Sequence, residues 1–147
     1  MIKKYNLYLE INKSFKYNIN VKNSNDILNF LKTDLKMSKQ CEEVLNLLCL
    51  DTKNNISGIF EVNRGILNAS LTSPREIFKR AIICNAKSII LAHNHPSDNV
   101  KPSIQDIELT ERIKNISKLM DIPLLDHIII SNNNNYYSFF EEGTLWK

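Results

Sequence analysis

Glycine is almost missing from this 147-residue chain: there are 3, and none comes before Gly58. With only 4 prolines as well, there is no flexible linker and no fibrous or low-complexity composition. Cysteine is scarce and odd in number. Cys41, Cys49 and Cys84 form no C-x-x-C pair, which argues against a disulfide framework and against a thiolate zinc site. Each lies in or beside an apolar run and reads as a buried small hydrophobe. Apolar runs never exceed a few residues, far short of the ~20 that span a membrane. The N-terminus Met1-Ile2-Lys3-Lys4-Tyr5 leads into alternating residues, with no leader-like apolar core. The expectation is a cytoplasmic protein in a reducing compartment, with no membrane partner. An excess of one charge is lacking too: 19 basic against 16 acidic residues leave +3. So small a surplus does not by itself hold a nucleic-acid backbone. Histidine occurs three times, as His93, His95 and His127, and two of these stand two positions apart.

What is present is ordinary for a globular protein: 43% hydrophobic and 24% charged residues. The length suits one compact domain with a small extension. Asparagine and isoleucine number 20 each, against 15 lysines and 4 arginines, a skew that reads as mutational bias in the source genome.

Residues 5–22 alternate loosely between apolar and polar side chains, predicting an N-terminal β-hairpin over residues 1–23. Ser24-Asn25-Asp26 reads as a helix start. Val44–Leu50 predicts a buried strand, Ile56–Val62 a second and Gly65–Leu71 a third. Ser73-Pro74-Arg75-Glu76 predicts a helix to about Asn85, with Ser73 as cap, Glu76 completing a capping box, and Ile77, Phe78, Ala81 and Ile82 facing inward. Ser88–Ala92 reads as a central strand, Ser103 onward as a helix, and Leu124–Ile130 and Tyr136–Phe140 as strands. Strands clustered in the middle and alternating with helices later predict an α/β fold, a mixed sheet with helices on its faces.

The segment Leu91-Ala92-His93-Asn94-His95-Pro96, then Ser103-Ile104-Gln105-Asp106, carries the chemistry. In an extended backbone, residues i and i+2 project to one face, so His93 and His95 converge. Asp106, three residues into a helix start, can supply a third ligand with the Ser103 hydroxyl beside it. Two imidazoles and a carboxylate leave a fourth tetrahedral position of Zn²⁺ open to water, the layout of a catalytic site. A base is then needed. Glu61, which follows the apolar run Ile56–Phe60, is the favoured candidate over Glu10, Glu42, Glu43 and Glu76. Ser103-x-x-Asp106 alone is also a helix capping pair. Yet a His pair at a strand end before a proline is hard to explain as core packing, because unpaired buried imidazoles cost stability.

With an upstream Glu61, this pattern of His93-x-His95-Pro96 and Ser103-x-x-Asp106 resembles the JAMM (MPN-plus) metalloprotease signature. Pro74–Ala81, Ala92–Ser97, Asp106–Thr110 and Leu124–Ile130 are similar to one branch, the RadC family of bacterial JAMM-domain proteins, from about Ser24 to Glu142. The resemblance implies a three-layer α-β-α, cytidine-deaminase-like JAMM/MPN fold over residues 24–147. It implies zinc held by His93, His95 and Asp106, with Glu61 as general base and Ser103 stabilising an oxyanion. Two features depart from the family. Asp98 stands where the family has glycine, and the predicted hairpin replaces an N-terminal helix-hairpin-helix DNA-binding region. His127, in Asp126-His127, reads as a satisfied sheet histidine or a supporter of the metal site. Lys53, Arg75 and Arg80 read as solvated surface charges.

The functional expectation is a zinc-dependent hydrolase of a peptide or isopeptide bond, with a peptide or protein as substrate. The alternative is a DNA-repair-associated or non-catalytic accessory protein acting through protein or DNA contacts. A zinc deaminase is excluded because His-x-Glu and Pro-Cys-x-x-Cys are both missing. The letters His93-Asn94-His95 do not make an HNH nuclease, whose name describes residues spread over a ββα unit.

Overall fold

The computed structural model describes residues 1–65 and 72–144; most of the predicted strand Gly65–Leu71 lies outside them. Among these residues five strands form one mixed sheet in the order β2-β1-β3-β4-β5. They are β1 (Val44–Leu50), β2 (Ile56–Arg64), β3 (Ser88–His95), β4 (Leu124–Ser131) and β5 (Tyr136–Ser138). β1 runs antiparallel to both β2 and β3, β3 and β4 are parallel, and β5 returns antiparallel to β4. β1 is buried at every position, as expected for an apolar strand covered on both faces.

Three helices cover the sheet: α1 (Ser24–Asn29), continued by a wider turn at Phe30–Asp34, α2 (Pro74–Ile83) and α3 (Ile104–Met120). On one face, Ile27, Leu28, Phe30 and Leu31 pack on Leu48, Ile90, Ala92 and Ile128. On the other, Ile77, Phe78 and Ala81 of α2 and Leu109 and Ile113 of α3 pack on Leu45, Leu47, Ile89 and Leu91. This is the expected three-layer α-β-α arrangement. Every helix start is capped. Asn23, one residue before the predicted start, closes a capping box with Asp26. Ser73 accepts from the Arg75 N–H, but the Glu76 carboxylate turns to Lys79 and Arg80 instead of completing a box. Ile82 is solvent-facing, at 51% exposure.

The N-terminal hairpin does not form. Residues 1–19 hold no strand, and the segment touches the sheet through one bridge, Asn20 to Asn55. Alternation makes a strand only where a partner edge and a covering face exist. Tyr5, Leu7 and Ile11 find neither and stay exposed. Contact with the domain begins at Phe15, whose ring meets Phe30 edge-on at 4.9 Å. Cys49 is buried as expected, whereas Cys84 is half-buried and Cys41 is exposed. No helix among the described residues is long and apolar enough to cross a membrane.

Candidate metal centre

β3 lies in the middle of the sheet and stays in it as far as His95. Both histidines are therefore strand residues, and alternation turns both toward the α2–α3 face, in line with Ile89 and Leu91. His93 is fully buried and His95 is partly exposed. Asp106 reaches them from the first turn of α3. Its capping box with Ser103 is complete: Ser103 Oγ accepts from the Asp106 N–H at 3.1 Å, and Asp106 Oδ2 accepts from the Ser103 N–H at 2.8 Å. The cap and the site are one arrangement, because the Ser103 N–H fixes the carboxylate with its oxygens toward the histidines.

Three side chains converge. His93 Nε2 and His95 Nε2 are 3.1 Å apart. Asp106 Oδ1 lies 3.2 Å from His93 Nε2, and Oδ2 lies 3.1 Å from His95 Nε2. Ligands on a tetrahedral zinc at bond lengths of ~2.0–2.1 Å stand about 3.3 Å apart, close to this spacing. His95 Nδ1 lies 3.0 Å from the Asn99 carbonyl, so that nitrogen carries the proton and Nε2 presents a lone pair. A single proton can bridge only one pair of these three groups. A divalent cation satisfies all three together. Burial works to raise the Asp106 pKa, but the neighbouring His93 and His95, with the Ser103 N–H, outweigh it and hold the carboxyl well below the usual range. Burial alone would lower the pKa of His95; contacts with Asp106 and Asn99, and the nearby charge of Glu43, raise it. His93, His95 and Asp106 are the cluster of possible metal ligands among the described residues.

A family model described as the RadC-like JAB domain matches residues 21–144. This chain belongs to the RadC family. A UPF0758 protein of Clostridium botulinum (strain Hall) is 48% identical to it over 120 residues, covering 82% of this chain and 51% of that protein. A UPF0758 protein of Clostridium beijerinckii is 42% identical over 133 residues, covering 90% of this chain and 57% of the relative. The RadC-family chain thus spans about half the length of the curated relatives it matches.

The structure moves one expected residue out of this RadC-family site. Glu61 pairs in register with Asn46, whose other neighbour is Ala92. That row faces the α1 side, opposite the histidines. The register is regular up to this point, Leu48 to Ile59, Leu47 to Phe60 and Asn46 to Glu61, and plain alternation sets the phase: Phe60 and Val62 on either side of Glu61 pack on the α2–α3 face. Glu61 is instead held by Arg64, Oε1 to Nε at 2.7 Å and Oε2 to Nη2 at 2.9 Å. Glu43, one of its four competitors, takes the place near the metal ligands. Leu45 pairs with His93, and Glu43, two residues before it, lies near enough to His95 for its charge to act on that ring. Asn94 secures this position. Its Oδ1 accepts from the Val44 N–H at 2.7 Å and its Nδ2 donates to the Glu42 carbonyl at 2.9 Å, gripping the chain on both sides of Glu43.

Ser103 is exposed at the mouth of the site. Its oxygen is engaged by the helix cap, which leaves the O–H to donate outward. Asp98 sits in an exposed bend and is not among the residues with positive φ, so the loop holds a non-glycine residue without left-handed strain. His127 lies behind the centre, fully buried, with Nε2 2.7 Å from His93 Nδ1. Burial, followed by the neighbouring His93, pushes its pKa well below the usual value and keeps the ring neutral. Lys53 belongs to the β1–β2 turn at the far end of β1, and Arg80 is paired with Glu76.

Proposed function

We propose that this RadC-family chain is a zinc-dependent hydrolase acting on a peptide or isopeptide bond, with His93, His95 and Asp106 as the residues that hold the ion. The observation that carries this reading is the convergence of two imidazole nitrogens and a carboxylate at 3.1–3.2 Å from one another. That donor set and spacing match a tetrahedral site with three protein ligands and one position for solvent. When bound, the ion would supply Lewis acidity and lower the pKa of its water to ~7.

The rest of the chemistry falls to side chains of this chain. Glu43, half-buried and close enough to His95 to influence its charge, is placed to take the proton of the attacking water and return it to the leaving amine. The Ser103 hydroxyl is placed to donate to the carbonyl oxygen as it gains charge. Glu61 has neither the face nor a free carboxylate for the base's role.

Metal analysis joined to a peptide and isopeptide library screen tests the reading. Wild-type protein is expected to hold one zinc per chain, and the double variant His93→Ala/Asp106→Ala none. Full occupancy in that double variant would sink the ligand assignment. Glu43→Gln is expected to retain zinc while losing turnover by about 10²–10⁴-fold, and Glu61→Gln to change neither. Turnover that survives Glu43→Gln and falls in Glu61→Gln would reverse the assignment of the base.

A further inference from the structure

Behind the metal ligands runs a line of polar contacts that the proposed chemistry leaves unused. Thr110 Oγ1 donates to the Asp106 carbonyl at 2.6 Å, one turn back along α3. Having given its only proton there, the hydroxyl can only accept at its second contact, His127 Nδ1, at 2.6 Å. His127 therefore carries its proton on Nδ1, and its Nε2 is a bare lone pair. That lone pair faces His93 Nδ1 at 2.7 Å, so His93 must be the donor and carry its proton on Nδ1. The remaining nitrogen of His93, Nε2, is then a lone pair turned toward His95 and Asp106. Phe139 holds the His127 ring in plane: the two rings stack at 5.1 Å with 12° between them. Thr110 and His127 are each 0% exposed, so water does not compete for these contacts.

We propose that Thr110 and His127 are positioning residues that set the tautomer of His93, through a one-way chain of hydrogen bonds starting at the Asp106 main chain. The proposal rests on the metal reading above. Helix α3 thereby acts on the site twice, through the carboxylate of Asp106 and, by way of Thr110 and His127, through the proton of His93. A ligating histidine ordinarily passes its second N–H to a carboxylate, a carbonyl or water, and losing that partner weakens metal binding about 10–100-fold. Here the acceptor is a neutral imidazole, which can accept only while Thr110 keeps the proton on the imidazole's far side.

Two measurements on the full chain test this. Long-range ¹H–¹⁵N NMR of the metal-free protein reads the tautomers directly, with His93 and His127 both expected in the Nδ1–H form. Zinc affinity is read by competition with a chromophoric chelator. His127→Phe keeps the stack on Phe139 but removes the acceptor, and is expected to weaken zinc binding about 10–100-fold. His127→Gln, whose carboxamide oxygen can accept from His93, should recover most of that loss. Thr110→Val tests the chain without touching a ring, and should move His127 toward the Nε2–H form and weaken zinc in the same direction. Should His127→Phe fail to fold, Thr110→Val decides the matter. Wild-type His93 protonated on Nε2, or wild-type zinc affinity in both His127→Phe and Thr110→Val, would overturn the proposal. A wild-type protein that binds no zinc yet shows both Nδ1–H tautomers would overturn the metal reading and leave the relay standing.

Discussion

Asn94 sits between the two histidines in sequence and faces away from them in the strand, yet it governs their surroundings. Its buried amide joins the main chain on both sides of Glu43 to β3. Replacing it with alanine leaves the Val44 N–H and the Glu42 carbonyl without that partner, at a cost of about 1–3 kcal/mol for an unsatisfied buried group. Chemical denaturation of Asn94→Ala should show a loss of that order, while zinc stoichiometry stays at one per chain because no ligand atom is removed. A stability equal to wild type would mean that the edge residues of β1 hold Glu43 without the clamp. The contrast between Glu43 and Glu61 belongs to the same scale. Glu43 stands just before β1 and Glu61 within β2, and in a sheet one position along a strand separates the face with the histidines from the face without them.

Among the elements, β4 and β5 are joined to α1 by one buried carboxylate. Asp126 Oδ1 accepts from the N–H groups of His127 at 2.7 Å and Phe140 at 3.0 Å, and Oδ2 accepts from Ser138 Oγ at 2.6 Å and, more weakly, Ser24 Oγ at 3.4 Å. Asp126→Ala strands two main-chain donors and should cost roughly 2–6 kcal/mol by denaturation; Asp126→Asn keeps an acceptor for both and should cost far less. Burial raises the Asp126 pKa, against the pull of its hydrogen bonds. The folded state therefore holds this proton more tightly than the unfolded chain does. Its contribution to stability is complete below the ordinary carboxylate range and is lost as pH rises through the raised value. Comparing stability-versus-pH curves of wild type and Asp126→Asn isolates that decline, and parallel curves would place its origin elsewhere. The carboxylate of Asp106 has the opposite sign, contributing above the ordinary range and losing its effect as pH falls.

For the molecule as a whole, the chain divides between a packed domain and an N-terminal stretch that adds little to it. Residues 1–14 are exposed throughout, whereas Phe15 and Ile19 pack against the α1 side, Val21 is buried, and the Val21 N–H donates to Asn54 at 2.8 Å. Deleting residues 2–14 is expected to leave the unfolding midpoint unchanged. Deleting through Val21 removes apolar burial at three side chains and should lower it by several degrees. Thermal melts of the two truncations make the comparison, and a large drop in the shorter deletion would show that the first residues stabilise the fold. The matched family region begins at residue 21, the point where burial begins.

Much of this architecture was legible from local pattern. The caps at Ser73 and Ser103, the buried runs of β1, β3 and β4, the shared face of His93 and His95, and the place of Asp106 in the first turn of its helix depend on residues within one turn or one strand of each other, where spacing alone dictates direction. What needed the tertiary structure was everything set by a partner far along the chain. The hairpin expected over residues 1–23 failed because alternation supplies a face but not an edge to pair with. Glu61 lies on the other face because its pairing with Asn46 and Ala92 sets it on the α1 side, and β2 alone does not tell which of its two faces meets the histidines. His127 reads from the sequence as either structural or supporting; the parallel pairing of β3 and β4 sets Leu91 beside it, two residues from His93, and α3 brings Thr110 to its ring. The sequence by itself determined which residues could share a metal, two histidines on one strand face and a carboxylate at a helix start, because each of those placements is local. The fold decided which glutamate lies near them and which side chains stand behind His93, because those depend on the register between strands distant in sequence.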